Sequence, residues 1–263
     1  MYSVFKIDHK NLDVLNNKYN YKYEGKTILK KNEVDYKNFI EKYILDRKKI
    51  DVNILEEEWF PDVDADIFIS HSSNDIDLVY KIAGWLEKEV GVKVFIDSAF
   101  WNNTYDLLRI IDDKYCYNES SDTYNYQRRN YTTNNIFMIL NVALVKMIDR
   151  LESVFFIKTP NSVNLDNGST GSPWIYSEII ATQLIRKRKL IEYRKQILGE
   201  MRSFELSKVY NSLPEFEYKI PLDNIVEINN DDLNKWAKTY NYVNLRESKD
   251  YSHSLDILYK IKR

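Results

Sequence analysis

Hydrophobic positions along the chain follow two patterns, short unbroken apolar runs and longer stretches in which apolar residues recur three or four apart. Asp64-Ala65-Asp66-Ile67-Phe68-Ile69-Ser70 is of the first kind and predicts a short strand covered on both faces. The polar cluster His71-Ser72-Ser73-Asn74-Asp75 ends it, with Asn74 or Asp75 placed to cap a helix. That helix carries Ile76, Val79, Tyr80, Ala83, Leu86 and Val90 as its buried stripe, and Gly91 supplies the stop. Val92-Lys93-Val94-Phe95-Ile96-Asp97 is a second strand. Strand, helix and strand at this spacing form a βαβ unit, whose crossover implies parallel pairing.

Downstream, helical patterns are expected over 105–113 and 134–152, separated by an irregular Tyr-rich segment at 115–133. A third strand is expected at 153–157, and a loop rich in Asn, Pro, Gly and Ser at 159–171 leads to a helix opening at Ser172. A further helix reaches to about 209, strands are expected at 217–220 or 224–228 and at 242–245, and helices at 231–238 and 254–261. Alternating α and β elements define an α/β fold with an open, doubly wound parallel sheet, which binds ligands at the carboxyl ends of its strands. Residues 1–61 read as an extension ahead of this domain. Tyr36, Phe39, Ile40, Tyr43 and Ile44 recur there at helical spacing, Arg47-Lys48-Lys49 follows, and Trp59-Phe60-Pro61 marks the boundary. The α/β domain is placed at 62–250, and 251–263 is expected to form a C-terminal helix packed on it.

Charge narrows the classes of function. The 263 residues carry a net charge of −2, so no global basic field draws the chain to nucleic acid or an anionic membrane, and neither partner is expected. Arg128-Arg129 among the tyrosines could stack on bases, but the whole-chain charge favours a structural or lid role. Arg186-Lys187-Arg188-Lys189 complements a helix C-terminus. Cys116 is the single cysteine and no Cys/His cluster has ligand spacing, so neither an internal disulfide nor a metal is expected. The first residues lack the pattern of a secretory leader, and the most apolar stretch, 136–151, is broken by Asn141, Lys146, Asp149 and Arg150. The expected location is the cytoplasm.

The helix from Ser172 carries the candidate chemistry. Ser172 is a good N-cap and Pro173 suits the first helical position. Trp174 and Glu178 then fall on one face, with Ala181 and Ile185 continuing the stripe. A carboxylate thus lies on a mostly apolar stripe beside a large aromatic ring.

Three segments in order, Asp66-Ile67-Phe68-Ile69-Ser70-His71-Ser72-Ser73-Asn74-Asp75, Val94-Phe95-Ile96-Asp97 and Ser172-Pro173-Trp174-Ile175-Tyr176-Ser177-Glu178, resemble the signature segments of Toll/interleukin-1 receptor (TIR) domains. The resemblance spans about residues 62–250 and is nearest to bacterial stand-alone TIR proteins of the kind found in anti-phage defence, such as the TIR component of Thoeris systems. It implies a flavodoxin-like fold and an enzyme that cleaves NAD at the nicotinamide–ribose bond. NAD is then substrate rather than cofactor. Glu178 matches the family's catalytic glutamate, four residues after Trp174 as a stacking plane. Ser70, His71, Phe100 and Trp101 are candidates to hold the nucleotide, although ordinary loop and packing roles stand equally open for these four. The resemblance further implies a cyclic or conjugated ADP-ribose signal for a separate effector, a homo-oligomer, and a phage-derived trigger. The segment at 115–133 and the residues before Trp59 lie outside the family's minimal pattern.

Two competing readings stand beside this one. A non-catalytic TIR adaptor would act by assembly and would not need Glu178. A nucleoside ribosyl-transfer enzyme of related fold would share the chemistry but not the substrate. A phospho-receiver is set aside, because it needs an acidic pair where this chain has Ser70-His71-Ser72.

Overall fold

The computed structural model describes residues 1–17, 19–32, 64–96, 98–164, 166–194, 218–219, 221–245 and 253–262. The expected helix around Tyr36 to Ile44, the Trp59-Phe60-Pro61 boundary, Asp97 and the helix expected to continue to about 209 lie outside them, the last from residue 195 onward.

A five-stranded parallel sheet forms the centre. In chain order its strands are β1 (Ser3–Asp8), β2 (Ile67–Ser70), β3 (Val94–Ile96), β6 (Ser153–Lys158) and β9 (Val226–Ile228). Their spatial order is β3-β2-β6-β1-β9. Helices cover both faces, an arrangement consistent with a flavodoxin-like architecture in which the place between β6 and β9 is taken by the N-terminal strand.

That strand corrects the expected domain boundary. Residues 3–8 are not part of an outlying extension: β1 pairs with β6 from Ser3↔Ser153 to Asp8↔Lys158 and with β9 from Phe5↔Val226 to Ile7↔Ile228. Phe5 and Ile7 are buried, whereas Lys6 sends its ammonium out to the carbonyl of Leu222 at 3.1 Å. Its alternating polar residues hide an interior strand from a search for unbroken apolar runs.

Side-chain alternation along the strands divides the core. Phe5, Ile7, Ile67, Ile69, Phe155 and Ile157 enter one cluster, with Val79, Leu86, Trp236 and Leu258 from the helices on that face. Phe68, Phe95 and Val154 enter the other, with Ile111, Leu140, Leu144 and Ile148. The first face is covered by α1 (Tyr21–Asn32), α2 (Ile76–Val90), α7 (Asn230–Leu245) and α8 (Ser254–Ile261). The second is covered by α3 (Ser98–Tyr115), α4 (Tyr126–Arg150) and α5 (Pro173–Leu184), after which comes the single-turn α6 (Leu190–Tyr193). Helix α2 ends as its sequence requires: Gly91 adopts φ +63° and donates its N–H to Glu87.

Four local expectations are revised. The segment at 115–133 is ordered into a short hairpin, β4 (Tyr117–Asn118) with β5 (Thr123–Tyr124), and the first two turns of α4. Asn125 caps α4 by accepting the Arg128 N–H at 3.0 Å. Residues 242–245 end α7 instead of forming a strand, because Trp236, wholly buried, anchors that helix and its ring N–H reaches the carbonyl of Ser254 at 3.0 Å. Strand β8 (Tyr218–Lys219) pairs antiparallel with β7 (Ser169–Thr170), away from the central sheet, and β9 is the strand that joins it. Finally, α3 begins at Ser98, which puts Phe100 and Trp101 in a helix.

At the amino edge of the sheet, a buried ionic group ties the chain together. Glu152, 4 % exposed, accepts from both terminal nitrogens of Arg194 at 2.6 and 3.0 Å and from the Tyr259 hydroxyl at 2.8 Å. Arg194 also reaches Asp256 at 2.5 Å, and burial together with the Glu152 charge pushes the Tyr259 hydroxyl well above its usual pKa. Beside it, His253 caps α8 by accepting the Leu255 N–H on Nδ1 at 3.3 Å, with Nε2 3.2 Å from Asp66.

Candidate functional site

The site lies at the carboxyl edge, where β2 gives way to loop. From β2 the chain crosses to β3 on one side and then to β6 on the other, so the crevice beyond β2 and β6 is the topological switch point. Ser70, the last residue of β2, is in register with Phe156 of β6.

Helix α5 brings in the carboxylate. As its sequence predicts, Ser172 caps it by accepting the Ile175 N–H at 3.3 Å, and Pro173 opens it. Its faces are divided among three neighbours. Ile175 and Ile179 pack with Phe156, Val163, Leu222 and Ile225. Ala181 and Trp174 pack toward α4, to which Ser177 is also bound through Asn141 at 2.6 Å. Between those two sides, next to Trp174, Glu178 reaches the end of β2, where Oε2 accepts the Ser70 hydroxyl at 2.5 Å. Ser70 is 0 % exposed and Glu178 1 % exposed.

Of the residues singled out from sequence, the structure thus joins Ser70 and Glu178. His71 is buried next to them, with Nδ1 3.2 Å from the carbonyl oxygen of Ile69. The Trp174 ring lies on Phe137, with centroids 5.6 Å apart, and Phe137 meets Tyr105 edge-on at 6.5 Å. Trp174 is therefore part of an aromatic row between α5, α4 and α3. Phe100 and Trp101 are placed by backbone only, since the side chains of residues 98–104 lie outside those described.

A clasp that sequence reading missed closes the edge. Asp75 makes no capping bond; it accepts Thr159 Oγ1 at 2.5 Å and Asn161 Nδ2 at 2.7 Å, joining the loops after β2 and β6. Ser72 supplies the local cap, its Oγ 3.4 Å from the Asn74 nitrogen. Asp75 has the same composition signal as a cap residue, and its partners lie 84 and 86 positions away, so no local pattern reveals them. Beyond the clasp, an open depression of about 500 Å³ is lined by Asn161, Ser162, Asn164, Asp166, Thr170 and Gly171, in the loop that delivers α5. Glu178 does not line it.

The Tyr-rich hairpin consumes its own charges. Asp112, 4 % exposed, accepts Arg129 Nε at 2.9 Å and Thr132 Oγ1 at 3.0 Å. The Arg129 guanidinium lies over Tyr124 at 5.1 Å, and Arg128 donates to the carbonyl of Tyr115 at 3.2 Å. Both arginines, on the first turn of α4, are thus engaged by the end of α3 and the hairpin. Tyr105, Tyr126 and Tyr131 remain exposed.

Among the described residues no group of three or more His, Cys, Asp or Glu is arranged to hold a metal, and no helix is long and apolar enough to cross a membrane. Compared with models of protein families, with characterised proteins and with solved structures, the chain matches none.

Proposed function

We propose that this protein is a TIR-type enzyme of the cytoplasm that cleaves NAD at the nicotinamide–ribose bond and releases a cyclic or conjugated ADP-ribose as a signal in anti-phage defence. The observation that carries the reading is Glu178: it follows Trp174 by four residues on a capped helix, and that helix brings its carboxylate to the switch point of a parallel sheet. Loss of nicotinamide builds positive charge on the ribose, as in oxocarbenium-like glycoside cleavage. A fixed carboxylate stabilises that charge and accepts hydrogen bonds from the ribose hydroxyls. On this reading the product reaches a separate effector, a phage-derived trigger starts turnover, and assembly of several copies completes the pocket. An active, strictly monomeric form in sedimentation would count against the assembly step.

The test is incubation of the purified protein with NAD, with and without lysate from phage-infected cells, with products resolved by mass. Nicotinamide release that Glu178→Gln lowers by about a hundredfold or more is the expected result. The mass of the second product then names the acceptor, and competition between NAD and free nucleosides separates this enzyme from a nucleoside ribosyl-transfer enzyme. One observation favours a second reading, a non-catalytic adaptor acting by assembly: Glu178 is 1 % exposed, sealed from solvent as a structural residue would be. That reading expects no turnover under any trigger, and defence that survives Glu178→Gln.

A further inference from the structure

We propose that Ser70 is a positioning residue, whose buried hydroxyl holds Glu178 oriented and ionised, and not a contact for the nucleotide. The inference rests on the reading of Glu178 as the catalytic carboxylate. Its basis is the geometry of the pair. An ionised carboxylate only accepts hydrogen bonds, so the Ser70 hydroxyl donates to Oε2. With Ser70 0 % exposed, no water competes for that hydrogen, and the serine's single O–H is already committed to Glu178 and not to a nucleotide.

Both partners are held by rigid elements. Ser70 is fixed by the β2–β6 ladder, while α5 is fixed by its Ser172 cap, by the Ser177–Asn141 bond and by Ile175 and Ile179 in the core. Neither residue sits on a loop that must settle before the bond forms, and such a support is what keeps a reacting group in place. A hydrogen bond donated to a carboxylate favours its charged form. Removing the hydroxyl would therefore cost Glu178 its orientation and make it easier to protonate, while leaving substrate affinity alone.

The experiment compares wild type, Ser70→Ala and Ser70→Cys, whose thiol is nearly isosteric but a weaker donor. Circular dichroism and thermal unfolding confirm folding, and nicotinamide release is followed against pH. Expected for Ser70→Ala are a kcat about tenfold lower, a KM within about twofold of wild type, and an acid limb displaced upward by about one pH unit. Ser70→Cys should fall between the two, and it carries the test alone if the alanine variant does not fold. In parallel, the Glu178 carboxyl carbon, labelled with carbon-13 and assigned by its loss in Glu178→Gln, is titrated by NMR in each variant. A raised KM with an unmoved acid limb would make Ser70 a substrate contact and overturn the proposal. Should wild type release no nicotinamide, the NAD reading fails, but the NMR titration still decides: an upward shift in the Ser70 variants supports the pairing, and an unchanged midpoint overturns it.

Discussion

Gly84 of α2 lies directly against the backbone of Tyr21 in α1: a Cβ on Gly84 would come within 2.1 Å of the Tyr21 carbonyl oxygen. Gly25 returns the contact, since a Cβ there would lie 1.9 Å from the carbonyl oxygen of Tyr80. Two glycines thus let the helices touch backbone to backbone, and the obstacle to any side chain is main chain that cannot swing aside. Gly84→Ala is expected to destabilise the fold by about 1–3 kcal/mol, the usual cost of overpacking, read as a lower urea midpoint with an unchanged slope.

Deleting the first twelve residues is expected to prevent folding altogether. The deletion removes an interior strand, leaving the hydrogen-bonding edges of β6 and β9 unpaired and stripping Phe5 and Ile7 from the core. A chain begun at residue 62, where the sequence pattern sets the domain boundary, should give no cooperative unfolding transition. A cooperative melt from such a chain would show that β1 is dispensable.

Arg194 neutralises two carboxylates, the buried Glu152 and the partly buried Asp256, whose side chains are 5 % and 13 % exposed. Arg194→Met leaves both charges without their cation, and breaking a buried pair in this way costs about 3–5 kcal/mol. The expected outcome is a large drop in unfolding free energy, partly restored by adding Glu152→Gln, because one uncompensated charge is then gone. An Arg194→Met protein as stable as wild type would mean that the group contributes nothing.

Asp66 sets a pH dependence. Burial alone would raise its pKa, but the hydrogen bond and charge of His253, together with the Lys93 backbone N–H at 2.9 Å, outweigh burial and hold it below the ordinary 3.8. A depressed carboxyl pKa means that the unfolded chain takes up its proton first as pH falls. The stabilisation is therefore present above pH 3.8 and is lost as pH drops through the lower folded value. Against the pull of burial, Asp66 in turn raises the pKa of His253 above 6.5, so the stability difference between wild type and Asp66→Asn should be greatest between about pH 4 and 6.5 and shrink on either side. A difference that does not change with pH would rule out this linkage.

What the sequence by itself determined is local. The Ser172 cap and Pro173 fix where α5 begins, Gly91 fixes where α2 ends, and the apolar runs at Ile67 to Ile69 and Val94 to Ile96 are strands covered on both faces. Each follows from backbone chemistry or burial acting within a few residues, so a linear pattern records it. Helical spacing also put Trp174 and Glu178 on one stretch of α5. The tertiary structure alone decided what those residues face. It turned Trp174 onto Phe137, set Glu178 against Ser70 across 108 positions, and drew Asp75 from a cap to a clasp with Thr159. It also placed β1 inside the sheet, where Lys6 had made the strand look too polar to be interior. Such pairings depend on the order of strands and the packing of helices between them, and neither leaves a periodic signal near the residues it joins.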